Sequence, residues 1–135
     1  FIDYMRKRTS SKIEYMYQYH LSPDETIPLS KPLFEWVMEN LIRNAIDAIQ
    51  GAGSISIEVS DMGKYVAIDV TDTGKGLAKN MTKTIFRPGY TTKKRGWGLG
   101  LSLTKRIIEN YHKGKIFVKS SEPGVGTTFR ILLHY

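Results

Sequence analysis

The sequence predicts a single α/β domain, because helical and strand-like segments alternate along one chain of 135 residues. This length suits one domain of ordinary size and is too short for two. Apolar residues make up 41% and charged residues 24% of the chain, which is close to the composition of a globular protein. The composition therefore excludes a disordered tail, a collagen-like fibre and a coiled coil.

The strands are predicted from apolar residues that recur at every second position. In the first strand, Ile13, Tyr15, Tyr17 and Tyr19 share one face. A short turn between the second and third segments predicts a hairpin. The predicted strands are Lys12–His20, Ser54–Ser60, Tyr65–Thr71, Ile116–Ser120 and Thr127–Leu133, with Ile27–Leu29 as a further short strand.

Two helices are predicted from apolar residues spaced three or four positions apart. The first begins after Ser30, a favourable N-cap, and stops at Gly51. The second begins at Leu101, and Gly114 is its expected C-cap. The apolar stripes are Val37, Leu41, Ala45 and Ala48 in the first helix, and Leu101, Thr104, Ile107, Ile108 and Tyr111 in the second.

Positive charge is concentrated in one stretch of the chain. The net charge is +7, and no acidic residue lies between Thr73 and Ile108. Glycines are interspersed with the basic residues there, and glycine lets backbone N–H groups approach an anion closely. The expected partner is anionic: a nucleic acid, an acidic membrane or a polyphosphate. The basic residues are Lys75, Lys79, Lys83, Arg87, Lys93, Lys94, Arg95, Lys105 and Arg106.

The sequence contains no cysteine, which excludes a disulfide scaffold, a thiolate zinc site and a cysteine nucleophile. No apolar run approaches the ~18 residues of a membrane span, and no signal peptide is recognisable. The chain begins at Phe1, and residues 1–9 resemble the end of a helix. We therefore expect an excised fragment, with a membrane anchor or partner domain upstream.

Polar side chains lie beside the apolar stripe of the first helix. Asn40, Asn44 and Asp47 follow at intervals of one turn, so they share a face. Exposed or capping amides are one interpretation. The other is a set of oxygen ligands that point at magnesium, a hard cation that prefers such oxygens.

Three glycine-containing segments come later in the chain. Asp72 ends a strand directly before residues 73–76 (TGKG), which indicates either a turn or a carboxylate that accepts from an exocyclic amine. In the second case, Gly74 and Gly76 are expected to let a flat ring pass close to the backbone. Residues 96–101 (GWGLGL) open a helix whose N-terminus suits phosphates, although they form neither a Rossmann fingerprint nor a P-loop. Residues 124–129 (GVGTTF) precede the last strand, where a glycine turn is the simple interpretation. With the asparagines, these segments form one ordered pattern.

This pattern resembles the ATP-binding catalytic domain of sensor histidine kinases, within the gyrase, heat-shock-chaperone, kinase and MutL superfamily. The resemblance covers about residues 30–135. It implies a two-layer α/β sandwich of the Bergerat type, with a mixed sheet on one side, helices on the other, and ATP beneath a mobile lid. The matching boxes are Glu39–Ala48 (asparagine), Asp72–Gly76 (first glycine), Ile85–Lys93 (phenylalanine), Gly96–Leu101 (second glycine) and Gly124–Phe129 (last).

The resemblance also implies roles for individual residues. Asn44 would hold magnesium, and Asn40 would support the phosphates. Asp72 would accept from the adenine amine, with Thr128 nearby. The implied catalytic residues are Asn40, Asn44 and Lys93, and the implied ATP-binding residues are Asn40, Asn44, Asp47, Asp72, Gly74, Gly76, Leu77, Phe86, Arg87, Tyr90, Thr91, Thr92, Lys93, Gly96, Trp97, Gly98, Leu99, Gly100, Leu101 and Thr128.

The residue four positions before the magnesium asparagine distinguishes the subfamilies. Hydrolytic members resemble one another in placing a Glu there as general base for water, whereas this sequence has Asn40. Glu39 lies one residue away, about 100° around the helix. The resemblance therefore implies transfer of the γ-phosphate to another group. An ATP-hydrolysing relative and a basic nucleic-acid-binding module remain the alternatives.

The resemblance implies partners as well as the cofactors ATP and Mg²⁺. The phosphoacceptor histidine is expected on an upstream dimerisation domain, because His20, His112 and His134 lie in or beside the catalytic fold. His112 itself is interpreted as a capping or surface residue. A response regulator is the further expected partner, and no nucleic acid is expected. The full protein is expected to be a homodimer, with this catalytic domain at the cytoplasmic end of a membrane-bound sensor. The fragment is expected to bind ATP without autophosphorylation.

Overall fold

The computed structural model describes residues 12–22, 27–88 and 100–135. Their strands form one five-stranded sheet: β1 Ile13–Tyr19, β2 Gly53–Asp61, β3 Tyr65–Asp72, β4 Lys115–Glu122 and β5 Gly126–His134. The strand order is β1-β2-β3-β5-β4. Strand β1 runs parallel to β2, and all other neighbours are antiparallel. The sheet is therefore mixed and carries helices on one face, which confirms the predicted α/β fold.

The strand predictions are confirmed within two residues at each end, with one exception. The segment Ile27–Leu29 pairs with no strand of the described sheet, so the short strand predicted there is wrong. Its apolar character has another cause: Ile27 packs against the hydrophobic core. The segment then leads directly into the first helix.

The apolar face of β1 is buried along only part of its length. Ile13 and Tyr15 are 7% and 8% exposed, whereas Tyr17 and Tyr19 are 53% and 49% exposed. The two outer rings stack on each other with centroids 6.4 Å apart. The sequence pattern is the same throughout, so periodicity alone does not distinguish the buried half of this strand from its exposed half.

Helix α1, Lys31–Ile49, matches its prediction closely. Its buried stripe contacts the sheet, and Gln50 ends it in the left-handed conformation, with φ 51°. Ser30 occupies the N-cap position, but its side chain makes no capping hydrogen bond. Instead, the backbone N–H of Ser30 donates to Nε2 of His112 at 3.0 Å, and His112 belongs to a distant part of the chain. The buried residues are Val37, Met38, Leu41, Ile42 and Ala45.

Helix α2 begins at Gly100 and changes its winding after about two turns. Residues Gly100–Arg106 are α-helical, and Ile107–Tyr111 form a π-helical turn. The wider turn rotates later residues off the apolar stripe. Ile107 and Ile108 are buried, but Tyr111 is 64% exposed, so its predicted place on that stripe is wrong.

The end of this π turn also differs from prediction. Lys113, not Gly114, takes the left-handed conformation, with φ 58°. Gly114 serves another purpose: a Cβ at this position would collide with the carbonyl oxygen of Leu132. The glycine is therefore required where the chain passes β5 closely.

The hydrophobic core lies between the inner face of the sheet and the two helices. Alternate residues of β2, β3 and β5 supply the sheet side, and the helical stripes supply the other. Fully buried aliphatic side chains contribute about 1.5–3 kcal/mol each, so these residues account for much of the stability. The largest of them are Leu41, Ile42, Ile55, Ile108, Ile131 and Leu133.

Candidate nucleotide site

Asn40 contacts helix α2 directly. Its side-chain Nδ2 donates to Oγ1 of Thr104 at 2.9 Å. Thr104 is completely buried and donates in turn to the carbonyl of Gly100 at 2.8 Å. Gly100 lies against the same amide, since a Cβ there would stand 2.8 Å from Oδ1 of Asn40. The asparagine helix and the glycine-rich entry into α2 therefore meet at Asn40.

Asn44 and Asp47 lie one and two turns further along α1, with Asn44 half-buried and Asp47 exposed. The predicted polar face is thus present on the helix. The loop after β3 is tied to its last turn, because the Lys75 N–H donates to the Ala48 carbonyl at 3.0 Å. This bond brings the end of β3 to the end of α1 that carries Asn44 and Asp47.

Asp72 ends β3 and is buried, with only 5% of the residue exposed. Burial raises the pKa of its carboxyl above the usual value, and the backbone N–H groups of Gly74 and Thr127 offset part of that rise. The Gly74 N–H donates to Oδ1 at 2.8 Å. Within the described ranges, no side chain donates to this carboxylate. A buried carboxylate satisfied by backbone amides retains acceptor positions for a ligand.

The predicted place of Thr128 beside Asp72 is wrong. Thr128 lies on the opposite face of the sheet, where its hydroxyl is 2.9 Å from that of Thr71. The residue paired with Asp72 is Thr127, which is 6% exposed. The alternation of β5 contains the signal, because Thr127 shares a face with the buried Phe129. Thr127 is therefore the candidate site residue that sequence reasoning missed.

The glycines after Asp72 were expected to let a flat ring pass close to the backbone. In the structure their missing Cβ atoms face protein backbone instead. A Cβ on Gly74 would stand 2.6 Å from the carbonyl carbon of Ala48, and one on Gly76 would collide with the carbonyl of Glu122. Gly76 also has φ 73°, which L side chains rarely adopt. Both glycines therefore allow backbone segments to pack closely beside Asp72, and their predicted role in an adenine pocket stays a prediction.

The predicted pocket residues beyond this loop divide into anchored and exposed positions. The Leu77 N–H donates to Oγ of Ser121 at 2.7 Å. Phe86 is buried, with its ring edge-on to Phe129 at 6.0 Å between centroids. Arg87 follows it and is exposed, while Leu101 packs partly against the core. The remaining candidates lie outside the described residues: Tyr90, Thr91, Thr92, Lys93, Gly96, Trp97, Gly98 and Leu99.

Residues 30–135 match the family described as histidine kinase-, DNA gyrase B-, and HSP90-like ATPases. The chain belongs to this family. The match covers both helices and all strands except β1. The resemblance drawn from the asparagines and glycine-rich segments is confirmed.

Similar proteins are sensor kinases of two-component systems. The signal transduction histidine-protein kinase AtoS of Escherichia coli K12 is 42% identical over 116 residues, which are 84% of this chain and 18% of AtoS. The nucleotide-free catalytic domain of the histidine kinase ThkA has a TM-score of 0.82 and 30% identity, covering 99% of this chain and 84% of that one. This chain thus spans about a fifth of the length of AtoS but most of an isolated catalytic domain.

Two further solved structures contain partners or ligands of their own. ThkA in complex with the response regulator TrrA matches with a TM-score of 0.78 and 29% identity, covering 99% of this chain and 36% of that one. Full-length ShkA in complex with AMPPNP matches with a TM-score of 0.82 and 28% identity, covering 97% and 27%. The family supports ATP binding and a kinase role in two-component systems.

Glu39 directly precedes Asn40, the position that the resemblance assigns to the general base of hydrolytic members. Its Oε1 accepts from Arg43 at 2.6 Å on the outer side of α1. Asn40, the next residue, turns instead to Thr104 on α2. The two neighbours therefore point to different surroundings, as expected from their separation around the helix.

Two other residues of this domain have hydrogen-bond partners that the sequence did not indicate. His112 lies between the helices, with Nδ1 3.0 Å from the Ile107 carbonyl and Nε2 accepting from Ser30. It therefore accepts from the N-cap residue of α1 and also contacts a carbonyl of its own π turn, which refines the predicted capping role. Thr104 was placed on an apolar stripe and is buried as expected, but its hydroxyl contacts Asn40.

The basic residues predicted to meet an anion are accessible where the structure describes them. Among the described residues, the cations between Thr73 and Ile108 are exposed, and Lys105 lies with Nζ 5.7 Å from the centre of the Phe86 ring. In the same ranges, no helix combines the length and apolar character of a membrane span. The exposed cations are Lys75, Lys79, Lys83, Arg87, Lys105 and Arg106.

Proposed function

We propose that this chain binds ATP with Mg²⁺ and donates the γ-phosphate to a histidine on a separate dimerisation domain. The observation that carries the proposal is the buried Asp72 carboxylate, whose donors among the described residues are backbone amides. The exocyclic amine of adenine is a donor that such a carboxylate accepts well. Burial strengthens this hydrogen bond, because water does not compete for it.

The phosphates and magnesium fit the polar face of α1. Asn44 and Asp47 offer an amide and a carboxylate oxygen, which is the donor chemistry that Mg²⁺ prefers. Magnesium bound there would neutralise charge on the phosphates. The exposed cations of the Thr73–Ile108 stretch add positive potential for a polyanion. Lys93 is assigned to the phosphates through the family resemblance.

Transfer rather than hydrolysis is supported by the residues around the phosphate end. Asn40 carries no carboxylate to deprotonate water, and Glu39 is engaged by Arg43. Catalysis then consists of positioning the γ-phosphate and stabilising charge, with the nucleophile supplied by another domain.

The proposed partners follow because another domain supplies the nucleophile. The acceptor histidine belongs to a dimerisation domain of the same protein, and a response regulator receives the group afterwards. The ThkA–TrrA complex supports a regulator as partner, and the ShkA–AMPPNP complex supports an adenine nucleotide as ligand. The whole protein is proposed to be a homodimer with this domain in the cytoplasm.

Calorimetric titration of the 135-residue chain with ATP, ADP and GTP, each with and without magnesium, tests the proposal. We expect adenine-selective binding that magnesium strengthens, without release of phosphate. Equal affinity for GTP and ATP would contradict the adenine role of Asp72. Steady phosphate release would favour the hydrolytic relatives instead. Binding of nucleic acid with a steep salt dependence and no magnesium effect would replace the proposal altogether.

A further inference from the structure

The Thr104 hydroxyl lies completely buried between helices α1 and α2. Its Oγ1 is 2.9 Å from Nδ2 of Asn40 and 2.8 Å from the carbonyl oxygen of Gly100. It thus joins the asparagine face of α1 to the first residue of α2. A bond from Thr to the carbonyl four residues earlier is common in helices, but the second bond reaches a residue of the candidate site.

The chemistry of these atoms determines which way the Asn40 amide faces. The Thr104 hydroxyl has a single hydrogen, and the Gly100 carbonyl can only accept, so the hydrogen goes to Gly100. The Thr104 oxygen must then accept from Asn40, which places the amide nitrogen towards Thr104. A flipped amide would leave the Asn40 oxygen facing a hydroxyl that has no second hydrogen to donate.

The Asn40 carbonyl oxygen consequently faces the beginning of α2. It would stand 2.8 Å from a Cβ at Gly100, a position where no side chain is present to displace it. One buried hydroxyl and one glycine therefore set the rotamer of Asn40. Of its polar atoms, the carbonyl oxygen and the second N–H are not used by Thr104.

We infer that Thr104 is a positioning residue for ATP binding: it orients the Asn40 amide towards the phosphate and magnesium end of the nucleotide. The inference rests on the proposed function, because it assigns Asn40 a role towards that part of the ligand. Thr104 itself touches no ligand and acts through Asn40. Thr104 is the residue through which α2 and α1 are kept in one arrangement at the site.

The Thr104→Val variant removes the hydroxyl at nearly constant volume. We expect the affinity for magnesium-ATP to fall about tenfold, the equivalent of one hydrogen bond, while the affinity for adenosine is unchanged. Thr104→Ser keeps the hydroxyl and should restore the affinity for ATP. Thr71→Val is the matched control, because it removes a threonine hydroxyl bond on the far face of the sheet.

A double-mutant cycle with Asn40→Ala separates positioning from a general packing effect. If Thr104 acts through Asn40, Thr104→Val causes no further loss of ATP affinity in the Asn40→Ala background. Additive losses, or equal losses for ATP and adenosine, would overturn the inference. So would an unchanged ATP affinity in Thr104→Val, while the proposed function would stand.

The side-chain amide signals of Asn40 in ¹⁵N-labelled protein give a readout without nucleotide. We expect its amide protons to be shifted and protected from exchange in the parent and in Thr104→Ser, and not in Thr104→Val. Identical Asn40 signals in the parent and Thr104→Val would overturn the inference. A parent that shows these signals but binds no ATP would contradict the proposed function, and with it the role of Thr104 towards the nucleotide.

Discussion

Asp72 is a single residue whose buried charge disfavours folding and suits the proposed contact with ATP. Burial raises the pKa of its carboxyl, so the charged form is less favourable in the folded chain than in water. The neighbouring amides of Gly74 and Thr127 compensate in part. Such unfavourable carboxylates are frequent at functional sites, where a ligand supplies the remaining interaction.

Asp72→Asn should weaken ATP binding by about 1.5–3 kcal/mol, the usual contribution of a hydrogen bond to a charged group. In the variant, the side-chain amide can turn its nitrogen towards the adenine amine. Both groups are then donors, so no hydrogen bond forms between them. Calorimetric titration of parent and variant under the same magnesium concentration measures the difference. An ATP affinity equal to that of the parent would rule out the adenine contact.

The same substitution should stabilise the chain at neutral pH. Because burial raises the pKa of Asp72, the folded state binds a proton there more readily than the unfolded state does. The charged carboxylate therefore lowers the free energy of unfolding at neutral pH, and this loss disappears as the pH falls through the raised pKa. Asp72→Asn removes the penalty at every pH. Urea unfolding should therefore give the variant a larger free energy of unfolding than the parent near pH 7. The difference between the two free energies should shrink towards about pH 4. A variant less stable than the parent at neutral pH would contradict this account.

At the scale of elements, the two helices are connected by polar bonds as well as by the core. Asn40 and Thr104 join them at the site, and His112 joins the end of the π turn to the start of α1. His112 is held by its own helix through the Ile107 carbonyl, so its imidazole is fixed when it accepts from Ser30. The π turn thus has a structural consequence, since it brings this histidine to the neighbouring helix.

His112→Ala should lower the free energy of unfolding by about 1 kcal/mol, the usual effect of losing a helix N-terminal acceptor. The part-buried Ser30 N–H would lose its partner. His20→Ala is the matched control, because His20 pairs with Glu58 at an exposed position, with 53% and 42% of the side chains accessible, and should change stability by less than about 0.5 kcal/mol. Equal changes in the free energy of unfolding for the two substitutions, measured with urea, would contradict the capping role of His112.

At the scale of the whole molecule, the outer face of the sheet is held by a buried ion pair. Asp69 on β3 accepts from Arg130 on β5 at 2.8 Å by each of two nitrogens, and Lys119 on β4 lies 3.5 Å away. Burial tends to raise the pKa of Asp69, but hydrogen bonds and charges from Arg130 and Lys119 outweigh it and lower that pKa. Together with Lys119, the pair connects three neighbouring strands away from the candidate nucleotide site.

Arg130→Met should lower the free energy of unfolding by about 3 kcal/mol, because it leaves the buried Asp69 carboxylate without its main partner. A lowered pKa means that this pair stabilises the fold at neutral pH and that the contribution is lost as the pH falls below the ordinary Asp value. The free energies of unfolding of parent and variant, measured with urea, should therefore become more similar as the pH is lowered. Arg43→Met, at the exposed pair with Glu39, is the control and should cost less than about 0.5 kcal/mol. A constant difference from neutral to acidic pH would contradict the assignment.

The sequence by itself determined the class of fold, the α1 helix and the five strands of the sheet, because these follow from local periodicity and from residues such as Ser30 and Gly51 at the ends of a helix. It also identified the family, since the asparagines and glycine-rich segments occur in one characteristic order. It did not determine that Thr127 rather than Thr128 pairs with Asp72, because strand register is decided by neighbouring strands.

Only the tertiary structure decided the partners of the remaining site residues. Thr104 and Asn40 are 64 positions apart, and their hydrogen bond exists because two helices pack on one sheet. The missing side chains of Gly74 and Gly76 were expected to make room for a ligand, but they make room for other backbone. Close approaches between distant segments leave no period in the sequence, so contacts of this kind become visible only when the chain is folded.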